Sequence, residues 1–258
     1  MNKIVRHTLA VLSLVVIAVV MTVVYNGSEK NKHTKTCTGL RVELADERNF
    51  LSKNDIKSFL DNGYGAYVGQ RLEDIDLKKV EKILDNRSAV LKSEAFVTSD
   101  GLLNVRITQR EPVVRFQKGN FGFYADERGY IFPLQHNYSS LVPIVDGEIP
   151  IEVEKGYKGV PKDARQKKWL GEIINMISYM AGSGIWEENI SQITVSRGGD
   201  LVLIPRVGKE RFVFGSPTEI EEKFSRIREY YESVVAEKGK DYYSSVNVKF
   251  DGQIVCRQ

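Results

Sequence analysis

From Thr8 to Tyr25 the chain carries no charged residue, and the centre of that stretch reads LAVLSLVVIAVVMTVV. As a helix rising about 1.5 Å per residue it would be about 27 Å long, nearly one hydrocarbon thickness of a bilayer. Lys3 and Arg6 would also suit the first region of a cleaved signal peptide. The apolar run is long and valine-rich, however, and no small-x-small cleavage site precedes Asn26. The expectation is an uncleaved N-terminal transmembrane helix over residues 8–25 behind a short tail, 1–7. Lys30, Lys32 and Lys35 come after the span and nearly match the positive charge before it. Flanking charge therefore leaves the orientation open, while the short leading tail, like that of a signal anchor, favours the N-terminus inside. Residues 26–38 (NGSEKNKHTKTCT) are polar without apolar periodicity and read as a short linker.

The remainder of the chain is long enough to fold. In 258 residues, 42% are hydrophobic and 28% charged, a globular composition with room for one or two modest cores. The formal charge of +3 is concentrated at the membrane end, where five basic side chains up to Lys35 face Glu29 alone, so the rest is close to neutral. A near-neutral body lacks the basic face that displaces counterions from phosphates, which argues against nucleic acid as a partner. Cys37 and Cys256 stand near opposite ends with no C-x-x-C pair, leaving either isolated thiols or a disulfide between the ends. His7, His33 and His136 are scattered, so neither a metal site nor a catalytic triad has the residues it needs. No cofactor or small-molecule substrate is expected.

Leu40, Val42 and Leu44 alternate with Arg41 and Glu43, as in a half-buried strand. The period then changes. Ser52, with Asp55 three positions later, opens a helix bearing Ile56, Phe59 and Leu60, closed by Gly63 and Gly65. A second helix from about Asp76 gathers Leu77, Val80, Ile83 and Leu84 on one face and ends at Asp85-Asn86. Segments 90–97 and 102–109 flank Ser99-Asp100-Gly101 as a hairpin. Strand, helix, helix, hairpin is a β-α-α-β-β unit, the arrangement of a POTRA domain, expected over residues 39–110.

Residues 111–258 read as a mostly antiparallel β domain with two flanking helices, making the chain α+β. Strands are expected at 113–117, 121–125, 192–196, 201–205 and 211–214. One helix runs over about 163–180 with Trp169, Leu170, Ile173, Ile174, Ile177 and Met180 at helical spacing. Ser216-Pro217-Thr218-Glu219 combines an N-cap, a first-turn proline and a carboxylate three after the cap, and so starts the other helix, with Ile220, Phe224, Ile227 and Tyr231 on its buried face. Val246, Val248 and Phe250 then alternate with Ser245, Asn247 and Lys249 ahead of Asp251-Gly252 and Ile254 to Arg257, a terminal hairpin that could leave an edge strand unpaired. Neither acidic pair, Asp126-Glu127 or Glu187-Glu188, suits a hydrolase. Neighbouring acids point to opposite faces of a strand and diverge by about 100° on a helix.

DGLLNVRITQREPVVRF (100–116), FYADERGYIFPL (123–134), LVPIVDGEI (141–149) and YYSSVNVKFDGQIVCR (242–257) together resemble the bacterial cell-division family FtsQ/DivIB. The likeness covers nearly the whole chain. Arg110 and Pro112 fit the family's Arg-x-Pro at the end of the hairpin, ahead of a β-rich domain. The resemblance implies a single-pass inner-membrane protein with a cytoplasmic N-terminus and a periplasmic body at the division septum, not an enzyme but a scaffold of the divisome. It implies FtsB-like and FtsL-like coiled-coil membrane proteins as partners, the FtsB-like chain docking by strand addition at the C-terminal edge. Carried over by position, the partner-binding residues would be Tyr243, Ser245, Val246, Val248 and Phe250 on the strand, with Glu221 and Arg228 on the helix beside it. The alternative is a POTRA module of outer-membrane protein assembly or secretion, which usually comes as repeated units before a barrel.

Overall fold

The computed structural model describes residues 14–22, 35–47, 50–135 and 139–258. Most of the expected linker and all three histidines lie outside them, as does part of the apolar stretch 8–25. Residues 14–22 are helical, with Leu14 to Met21 largely exposed where their burial is given. Among the described residues no helix is long and apolar enough to cross a membrane. The chain divides into two compact units, Met1–Gln109 and Arg110–Gln258.

In the first unit, β1 (Gly39–Leu44), β2 (Val90–Val97) and β3 (Leu102–Gln109) form a sheet ordered β1-β3-β2, with β1 parallel and β2 antiparallel to the central β3. Helices α1 (Lys53–Gly63) and α2 (Leu77–Asp85) accompany it. The Ser52–Asp55 spacing does form a capping box: the Ser52 hydroxyl accepts from the Asp55 N–H, and the Asp55 carboxylate accepts from the Ser52 N–H. Ile56 and Leu60 of α1, Val80 and Leu84 of α2, and Leu103, Val105 and Ile107 of β3 are all buried. Each large apolar side chain removed from water in this small core contributes about 1.5–3 kcal/mol.

The second unit carries one sheet of nine strands: β4 (Pro112–Lys118), β5 (Phe121–Asp126), β6 (Ile131–Pro133), β7 (Ile144–Gly147), β8 (Ile190–Val195), β9 (Leu201–Pro205), β10 (Arg211–Gly215), β11 (Ser245–Asn247) and β12 (Val255–Arg257). Their order across the sheet is β12-β11-β10-β9-β8-β7-β4-β5-β6. The sheet is more mixed than alternation alone suggests, because β7 runs parallel to both neighbours and β11 runs parallel to β10. Gly147 ends β7 at φ +84°, where a Cβ would overlap the Val195 carbonyl oxygen. Only glycine lets the two strands close up there.

Helix α3 (Ala164–Ser183) is capped by Asp163 and ends at Gly184 in the left-handed conformation. It buries Leu170, Ile173, Ile174, Met176, Ile177 and Met180 in the core shared with Phe116 and Phe123, whose rings stack at 5.1 Å. A short α4 (Trp186–Asn189) is next, and then α5 (Ile220–Glu229), which passes into a π-helical turn, Tyr230–Val235. Helix α5 begins later than its Ser-Pro-Thr-Glu start predicts: Glu219 sits at φ +52° and caps nothing with its side chain. The cause is Lys223, 1% exposed, whose ammonium donates to the carbonyls of Ser216 (3.0 Å) and Thr218 (2.7 Å) and holds that segment outside the helix.

Candidate functional site

A sheet has two ends, and in the second unit they differ. At one end β6 contains Pro133, which has no N–H to offer, and Ile131 is bridged by Gly159 through N–H···O bonds of 2.8 and 2.9 Å. Proline and a covering segment are the usual ways of blunting an edge. At the other end β12 pairs only with β11 among the described residues. Its pairing parity is set by two bonds. Arg211 N–H donates to the Ser244 carbonyl (2.9 Å) and Val248 N–H to the Val213 carbonyl (3.0 Å), so Val246 turns its backbone toward β10. Ser245 and Asn247 then turn toward β12, where they face Arg257 and Val255. By alternation, the N–H and C=O of Cys256 point away from β11.

Side chains around this edge are apolar and accessible. Val255 is 38% exposed, Tyr242 45% and Phe250 46%. The Tyr242 and Tyr243 rings meet edge-on at 4.8 Å, and the Lys249 ammonium lies 5.1 Å over the Phe250 ring while bonding Asp200 at 2.8 Å. Helix α5 holds the approach to β12 through Arg226, whose Nε donates to the Val248 carbonyl (3.0 Å) and whose Nη1 donates to Asp251 (3.2 Å). Gly215, at φ +79°, leaves room for this segment, since a Cβ there would lie 2.8 Å from the Cβ of Lys249. The Cys256 thiol is pushed up by burial, and it and Cys37 are both free thiols.

The residues expected on the edge separate into groups. Ser245 and Val246 are on β11, an inner strand, and Val248 lies just beyond it. Val246 and Val248 are both fully buried, so their side chains face the core rather than a partner. They alternate in step with the sheet's inner face, and the strand that covers β11 is the three-residue β12. Tyr243 is half-buried against the core, and Phe250 alone of the five has a large exposed side chain. Glu221 and Arg228 are exposed residues of α5. They share one stripe of α5, about 10 Å apart, and Arg228 stands about 200° round the helix from Arg226, which does reach the segment leading to β12. Glu221 lies by Pro217 and Tyr179, and Arg228 borders a groove of about 510 Å³ with Trp186, Val207 and Tyr231. Tyr231 donates to the buried Glu210 at 2.8 Å, and burial followed by that carboxylate pushes its hydroxyl up. Arg226, Cys256 and Val255 were not among the residues expected at the edge. The one signal for Arg226 is a charged residue directly before the buried Ile227.

Two of the family-like sequence stretches meet at the opening of this unit. Arg110 Nη1 bonds Asp126 Oδ2 at 2.6 Å with both side chains buried, and its guanidinium lies 3.7 Å over the Tyr130 ring. The other oxygen of Asp126 accepts the N–H groups of Arg128 and Tyr130, each at 2.9 Å. Glu127, its neighbour, is exposed. The two carboxylates do not converge on one point.

A family model described as FtsQ/DivIB, C-terminal related, matches residues 111–257, and a model described as a POTRA-like domain matches residues 35–108. No curated protein matches the chain.

Proposed function

The chain belongs to the FtsQ/DivIB, C-terminal related family, and from that premise we propose that it is a non-catalytic scaffold of the bacterial division machinery which captures a membrane partner by strand addition at β12. The observation that carries this reading is the contrast between the ends of the nine-stranded sheet: β6 is blunted, whereas β12 pairs only with β11 among the described residues, and Val255 on it and Tyr242 and Phe250 in the segments flanking β11 are exposed. An added strand gains main-chain hydrogen bonds from such an edge and selectivity from the side chains beside it. The partners proposed are an FtsB-like coiled-coil protein at the edge and, through it, an FtsL-like one. The binding set is Cys256, Val255 and Phe250 with Tyr243 and Ser245 behind them, and Arg226 positions the edge. The same premise supports an inner-membrane, division-site location with residues 8–25 as the anchor and the folded units in the periplasm.

Cys256→Pro tests this. It removes the outward N–H and leaves the bonds from β12 to β11 in place, so the full chain in detergent should stay folded while capture of an FtsB-like partner weakens by about tenfold or more. Undiminished capture by the folded variant would remove β12 from the interface.

A further inference from the structure

In the first unit, β1 also has a free side. Among the described residues this strand pairs only with β3. Ala45 N–H donates to the Ile107 carbonyl at 2.8 Å, which turns Ala45 toward β3 and, by alternation, Glu43 and Arg41 as well. Leu40, Val42 and Leu44 therefore turn their N–H and C=O groups outward. Those three positions carry neither proline nor lysine nor a bulge, while the stretch just before the strand, Lys35 to Cys37, is covered by residues 69–72. Along the strand runs a groove of about 380 Å³, bounded by Leu40 and Val42 on one side and by Lys57, Asp61 and Val68 on the other. Val68 is 56% exposed.

The sequence of this edge complements itself. Leu40-Arg41-Val42-Glu43-Leu44 has the same apolar–charged pattern in both directions, with the two charges opposite in sign. When two copies lie antiparallel with Val42 opposite Val42, Leu40 meets Leu44, and Arg41 meets Glu43 at two symmetric places. The register also agrees with the backbone: the residues that turn outward become the hydrogen-bonded pairs, and Arg41–Glu43 become the non-hydrogen-bonded pairs, in which side chains come closest. Such a contact is isologous and closes after two copies. Arg41 and Glu43 are 60% and 58% exposed, and their partners within the chain, Asp100 at 3.6 Å and Arg106 at 3.3 Å, are surface pairs of little strength.

We propose that the second partner of this chain is another copy of itself, joined β1 to β1 in antiparallel register so that two three-stranded sheets become one. The test is the association of the full chain in detergent micelles, measured by sedimentation equilibrium. Arg41→Glu alone and Glu43→Arg alone each place like charges opposite one another at both symmetric positions, and each should weaken dimerisation about tenfold. Arg41→Glu with Glu43→Arg restores opposite charges and should bring the affinity back to within about twofold of the original. The swap distinguishes this edge from any other contact, because a dimer formed through the apolar helix or β12 would ignore all three variants. A chain monomeric at every concentration, a dimer indifferent to the single changes, or a double variant as weak as either single one overturns the proposal. So does a monomer that takes up a strand of a different protein at β1.

Discussion

A buried ion pair such as Arg110–Asp126 is far harder to halve than to replace. Removing one partner leaves the other charged and away from water, at about 3–5 kcal/mol, whereas exchanging both for apolar residues is often nearly neutral. Asp126→Ala should therefore lower the stability of the second unit by about that amount, and Arg110→Met with Asp126→Leu should recover only the part due to the stranded charge, since the N–H groups of Arg128 and Tyr130 still lose their acceptor, as read by chemical denaturation. Tyrosines make a separate prediction at alkaline pH. Burial, followed by the charge of Glu210, raises the Tyr230 hydroxyl to about 12, and burial followed by the bond to Asp61 raises Tyr67 to about 12. An unfolded tyrosine loses its proton near pH 10. Between about pH 10 and 12 the unfolded chain thus binds fewer protons than the folded one, so stability falls as pH rises, having been fully present below 10. Lys223, lowered by burial, acts in the opposite sense as pH approaches the ordinary lysine value. Thermal melts should show the alkaline fall, and Tyr230→Phe should make it shallower. Neither feature is visible in the sequence: Arg110 and Asp126 stand 16 positions apart there, and only the folded chain brings them within 2.6 Å.

At the scale of elements, periodicity located most strands and helices, because alternation and 3.6-residue spacing are local properties. Which strand lies at an edge is not local. Ser245–Asn247 carries the stronger β pattern, yet the sheet seats it between β10 and the weakly patterned Val255–Arg257. Val248→Glu, an attractive way to charge the edge when read from alternation, would place a carboxylate in a fully buried position and should unfold the second unit. A start signal also misled at Ser216-Pro217-Thr218-Glu219, since nothing local announces that Lys223 will take the carbonyls of Ser216 and Thr218. Helix α5 touches the segment leading to the candidate edge through Arg226. Arg226→Ala removes charge-assisted bonds to the Val248 carbonyl and Asp251, and should cost about 1.5–3 kcal/mol locally, seen as faster amide exchange in β12 while β8 and β9 keep their protection.

For the whole molecule, the order of parts matters more than any single residue. An apolar N-terminal stretch, a POTRA-like unit and an FtsQ/DivIB-related unit succeed one another along the chain. Among the described residues each folded unit has an end strand with a single neighbour, β1 in the first and β12 in the second. Such edges can join proteins through backbone pairing alone, with no catalytic group at either side. Confinement to a membrane would raise the effective concentration of partners held in the same plane, so that short edges of three and six residues suffice. The most direct measurement is hydrogen–deuterium exchange of the full chain with and without an FtsB-like partner. Strand addition predicts that the Cys256 amide slows markedly on binding while the inward amides of Val255 and Arg257 change little. Protection confined to other surfaces, with Cys256 exchanging as in the free chain, would contradict it.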